Sequence, residues 1–81
     1  MSLSEAIKNT RIKSLMSQEV FAKELRVSVG TINRWENGKV IPNITAMKSI
    51  RCFCERNSID SSEIEREWID YKNGDKEKIC D

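Results

Sequence analysis

The chain has no histidine, one proline and three glycines in 81 residues, and no apolar run longer than three residues. Each scarcity excludes something. Without histidine there is no imidazole to act as a general base or to complete a zinc site, and no nucleophile–base pair is visible, so no enzyme chemistry is expected. Short apolar runs, such as Val20 to Ala22, cannot span a bilayer, so no membrane partner is expected. Few helix breakers leave long stretches free to be helical. The first residues, Met1 to Glu5, show no basic segment followed by an apolar one, and the three cysteines are an odd count. Together these point to reduced thiols and a cytoplasmic location rather than a secreted disulfide framework. Cys52 and Cys54 lie about 200° apart on a helix, so they cannot hold one ion, and neither metal nor cofactor is expected. Core packing is the reading for Cys54.

What is present is charge, unevenly placed. Residues 1–56 carry ten Lys/Arg against five acids, a net +5, whereas residues 57–81 carry four against eight, a net −4. A basic body with an acidic C-terminal segment suits a nucleic-acid-binding unit joined to an element that avoids phosphates. With 38% apolar residues, the chain supports one small core.

Cap signals divide the chain into an all-α, compact five-helix bundle, with helices at about 3–14, 17–25, 28–36, 43–56 and 61–72. Ser2 and Glu5 have capping-box spacing, and Leu3, Ala6, Ile7 and Ser14 form the expected inner face of the first helix. Ser17 caps the second, which carries Phe21, Ala22 and Leu25. Ser28 caps the third, with Ile32 and Trp35 inward and Asn37-Gly38 as a left-handed stop. Val40, Ile41 and Pro42 form an extended connector. Asn43 caps the fourth, whose inner face is expected at Ile44, Met47, Ile50 and Cys54. Asp60 and Glu63 have capping-box spacing before the fifth, where Ile64, Trp68 and Tyr71 make one stripe. That stripe covers either its own domain or a second copy. Asn73-Gly74 is the expected stop, dividing a single domain at 1–74 from a polar, flexible tail at 75–81.

The run Ser17-Gln18-Glu19-Val20-Phe21-Ala22-Lys23-Glu24-Leu25, with Val27, Ser28, Ile32 and the ending Trp35-Glu36-Asn37-Gly38-Lys39, resembles the phage-repressor (lambda-repressor-like, Cro/XRE-type) helix-turn-helix family. The resemblance covers about residues 7–59, with the core motif at 17–37. It implies a sequence-specific, double-stranded DNA-binding transcriptional regulator, a repressor acting as a homodimer through the major groove. The third helix then offers Ser28, Val29, Gly30, Thr31, Asn33, Arg34 and Asn37 to DNA: arginine suits guanine, asparagine suits adenine, and valine suits a thymine methyl. Ser17 and Gln18 at the start of the second helix, with Asn37 and Lys39, are implied phosphate contacts. The family also pairs a helix-one arginine with the glutamate of its E-N-G segment, here Arg11 with Glu36, an architectural role. One departure stands out. The family favours glycine at the turn, and Arg26 occupies it, at a strain of about 1 kcal/mol if φ is positive.

Within this class, an antitoxin that autoregulates its operon, and so has a toxin partner, is an alternative. A protein-interaction module that keeps the fold without DNA binding is the rival from another class, favoured by the single arginine on the exposed face and by the acidic C-terminal segment.

Overall fold

The computed structural model describes residues 2–80, with side chains for 2–73. Five helices follow in order: α1 (Leu3–Lys13), α2 (Gln18–Leu25), α3 (Val29–Glu36), α4 (Ile44–Arg56) and α5 (Ser62–Cys80). α2 packs on α3 and α4, while α1 packs on α3 and α5.

The helix starts follow the cap residues. Ser2, Ser17, Ser28 and Asn43 are all extended, and each side chain accepts the N–H three residues on, at 3.3, 3.2, 3.1 and 2.8 Å. Each such cap contributes about 1 kcal/mol. The Ser2–Glu5 capping box is complete. The expected Asp60–Glu63 box is replaced by a tighter turn, in which the Asp60 carboxylate accepts the Ser62 N–H at 3.0 Å. That backbone hydrogen bond holds the Asp60 carboxyl below its ordinary pKa.

The ends of α1 to α4 share one device. Leu15, Arg26, Gly38 and Ser58 have φ of 58, 59, 74 and 56°. In each case the next residue donates its N–H back to the carbonyl five positions earlier: Met16 to Arg11, Val27 to Ala22, Lys39 to Arg34, and Ile59 to Cys54. These are Schellman closures, and three of them put a side chain where glycine is favoured. The strain is about 1 kcal/mol each. Met16, Val27 and Ile59 then pack on the core, and burying apolar surface at roughly 25 cal/mol per Å² offsets that cost.

The core is centred on Phe21 and Phe53, both inaccessible to solvent, with ring centroids 5.2 Å apart and planes at 82°. Such edge-to-face pairs add about 1 kcal/mol beyond burial. Ile7, Ile32, Ile50, Cys54 and Ile64 close around them. Burial pushes the Cys54 thiol up to about 11, so it stays a protonated packing group.

Several expectations shift. On α1 the buried polar residue is Thr10, whose hydroxyl donates to the Ala6 carbonyl at 3.0 Å, and Ser14 is only half-buried. On α4 Ile44 is 62% exposed, because the first turn overhangs the core, and Phe53 fills the inward position instead. On α5 Ile64 is buried and Tyr71 is half-exposed. Trp68 covers its own chain, its Nε1–H donating to the buried Pro42 carbonyl at 2.7 Å. That bond ties the α3–α4 connector to α5. The helix also runs through Asn73 and Gly74 to Cys80, past the stop expected there; one glycine, at about 1 kcal/mol, does not end a helix by itself. The flexibility expected of 75–81 lies outside the described side chains.

Candidate nucleic-acid interface

α3 is two-faced because its apolar residues fall at 32 and 35. Ile32 and Trp35 are buried, and Val29, Asn33, Arg34 and Asn37 are exposed, as are Ser28 before the helix and Lys39 after it. Gly30 and Thr31 are half-buried. The Ser28 and Thr31 hydroxyls lie 2.9 Å apart and bond to each other, which draws Thr31 back towards the cap. Thr31 also lines a hollow with Arg26, Asn43 and Thr45, on the α4 side of the helix. Asn33 and Asn37 are bonded one turn apart, Asn37 Nδ2 donating to Asn33 Oδ1 at 3.0 Å. Arg34 and Lys39 make no side-chain ion pair or hydrogen bond among the described residues.

The α2–α3 turn sets this face. Ala22, almost fully buried, lets α2 lie close against its neighbours. Arg26 takes the left-handed conformation, with φ 59° and ψ 41°, so the strain anticipated for a non-glycine turn is present. Its side chain is exposed beside the start of α3.

The one acid on α3 is removed from the surface. Glu36 accepts from Arg11 Nε at 2.7 Å and Nη2 at 3.1 Å, a bidentate pair in which the side chains are 4% and 15% exposed. Arg11 Nη1 also donates to the Met16 carbonyl at 2.9 Å, and the pairing with Glu36 raises the guanidinium pKa. A carboxylate that would repel phosphate is thus neutralised inside the fold. Gln18 completes the network: its Nε2 donates to Glu36 Oε1 at 3.1 Å. Sequence reading missed this tie, since nothing in the spacing of residues 18 and 36 signals a contact; among the described residues it leaves the second Nε2–H without an acceptor. Ser17 is exposed at the N-terminus of α2, with its hydroxyl used as the cap.

The ten expected residues therefore fall into three groups. Val29, Gly30, Asn33, Arg34 and Asn37 share the exposed side of α3, with Lys39 just beyond its end, whereas Ser17 and Gln18 stand at the α2 N-terminus. Ser28 and Thr31 spend their hydroxyls on the cap. From Ser28 to Lys39 the exposed charges are the cations Arg34 and Lys39, and the one acid, Glu36, is paired with Arg11.

A family model described as helix-turn-helix matches residues 7–58, close to the 7–59 span read from the motifs. The chain belongs to the helix-turn-helix family. Its phage-repressor type agrees with the run from Ser17 to Lys39. Among known proteins it is similar to the HTH-type transcriptional activator BcrR of Enterococcus faecalis, 36% identical over 53 residues, or 65% of this chain and 26% of that protein. The chain thus spans about a quarter of that relative's length. No solved structure matches. Among the described residues no helix is long and apolar enough to cross a membrane.

Proposed function

We propose that this chain is a sequence-specific regulator of transcription that binds double-stranded DNA by laying α3 in the major groove. The observation that carries the reading is the surface of α3 itself. Its base-reading side chains Asn33 and Arg34 are exposed, its flanking cation Lys39 has no ion-pair partner among the described residues, and its only acid is folded away against Arg11. Asn33, Arg34 and Val29 read base edges; Lys39, Asn37, Gln18 and the α2 N-terminus at Ser17 hold phosphates. Two copies act together, because one motif reads only a few base pairs while two placed one helical turn apart double the readout. Repression is the proposed direction, since occupying an operator suffices for it. The E. faecalis relative carries an activator's name, and a promoter–reporter assay reads the sign directly.

The test is binding to a selected operator and to mixed genomic DNA over a salt series. Affinity should fall steeply, with log K losing about 0.9 per phosphate contact per log unit of salt. Lys39→Ala should weaken all sequences alike and flatten the slope by about one contact. No binding at low salt, or binding indifferent to salt, would favour the rival protein-interaction module.

A further inference from the structure

We infer that Gly30 marks the closest approach of DNA to the protein, with a thymine 5-methyl group seated against its bare Cα beside Val29. The inference rests on the reading of α3 as the DNA-contacting helix, and it starts from a glycine that the fold does not need. Gly38 shows the contrast: its φ of +74° closes α3 in a conformation that favours glycine. Gly30 has no such φ and sits within the first turn of a regular helix. A Cβ added there would meet nothing nearer than Ser28 Oγ at 3.8 Å, an ordinary contact. Neither backbone nor packing calls for glycine, and in a helix only proline is less favourable. The fold gives up stability at this position with no return inside the chain.

The surroundings indicate what occupies the space. Val29 is 44% exposed, so its methyls and the Gly30 Cα form an apolar spot at the N-terminal turn of α3. In this class of motif those first residues meet base edges. The thymine 5-methyl is the apolar group that the major-groove edge of a base pair presents. An alanine would put its own methyl where the thymine's should sit.

Gly30→Ala should therefore change stability and binding in opposite directions. The thermal midpoint should rise, because alanine is the better helix former. Affinity for the operator selected from a random duplex pool should fall on the order of tenfold, the scale of one mismatched base pair. Replacing the operator's thymines singly with deoxyuridine should identify one position where the lost methyl restores most of the variant's binding and weakens the wild-type protein. Three results would overturn the inference: variant affinity within about twofold of wild type, a defect equal at every deoxyuridine position, or a lowered thermal midpoint. A wild-type protein that binds no duplex at low salt removes the underlying reading as well.

Discussion

The amide of Asn33 is oriented before any DNA arrives, because Asn37 Nδ2 donates to its Oδ1 at 3.0 Å. Both N–H groups of Asn33 and a second lone pair on Oδ1 are left over, the donor–acceptor combination that adenine requires. Asn33→Ala is expected to cost about 1–3 kcal/mol on the preferred site and to relax one base position. Asn37→Ala should produce a smaller loss at that position through the freed amide, together with a loss shared by all sequences through its phosphate contact. Arg34→Ala should relax a neighbouring guanine by a similar amount. Competition binding against single-base variants of the operator reads all three; unchanged site preference in Asn33→Ala and Arg34→Ala would mean that α3 is not the reading element. Arg26 carries a different trade. Its φ of 59° is strained for arginine, so Arg26→Gly should stabilise the fold by about 1 kcal/mol in urea denaturation. If the guanidinium meets a phosphate, the same variant should also bind DNA more weakly, with a flatter salt dependence.

At the scale of elements, Glu36 joins three helices: Arg11 of α1 and Gln18 of α2 both donate to the end of α3. The pair is buried enough for desolvation to matter, so removing one member should cost more than half of what removing both does. Arg11→Ala, which leaves a nearly buried carboxylate with only Gln18, is expected to lose about 3 kcal/mol of stability. Arg11→Ala combined with Glu36→Ala should lose less than the two single losses added, and a double-mutant cycle by denaturation measures the coupling. This pair was legible in the sequence only through the resemblance, whereas the helices were legible from their own residues. Ser2, Ser17, Ser28 and Asn43 announce helix starts because capping is a local interaction. The ends of α1 to α4 were read to within one residue, but the left-handed conformations of Leu15 and Ser58 were not, because it is the core-anchored Met16 and Ile59 after them that stabilise those closures. The same reason hid Phe53 and misplaced Ile44. Periodicity gives the side of α4 that turns inward, but which turn of that side meets a neighbour depends on where α2 and α5 lie. On the candidate interface, burial of Ile32 and Trp35 foretold the exposed face of α3, but the Gln18–Glu36 and Asn33–Asn37 bonds needed coordinates.

For the molecule as a whole, the proposed pairing of two copies needs a surface on which they could meet. Of the α5 stripe that a second copy could have covered, Trp68 has its indole N–H committed to Pro42 of its own chain. Trp68→Ala should accordingly destabilise the monomer, by about 3 kcal/mol, rather than simply part a dimer. The apolar surface still uncovered nearby is Ile44, 62% exposed, and Ile69, 50% exposed, which flank a groove of about 190 Å³ between α4 and α5. Lys48 and Arg51 border the groove on α4, Arg51 already paired at 3.6 Å with Glu65 on α5 of its own chain, which leaves Lys48 on the basic side and Glu63, Glu67 and Asp70 on α5 for a partner. A two-fold arrangement that sets the basic rim of one copy against the acidic helix of the other would cover both isoleucines and pair opposite charges. Ile44→Lys with Ile69→Lys should therefore yield a folded monomer, since both side chains are largely in water already. Its thermal midpoint should stay near that of wild type, while affinity for a palindromic operator falls on the order of 100-fold as the second half-site loses its tether. Sedimentation of the wild type and the double variant, free and on the operator, decides the matter. A wild-type chain that remains monomeric on the palindrome, or a double variant that still dimerises, rules out this surface as the contact.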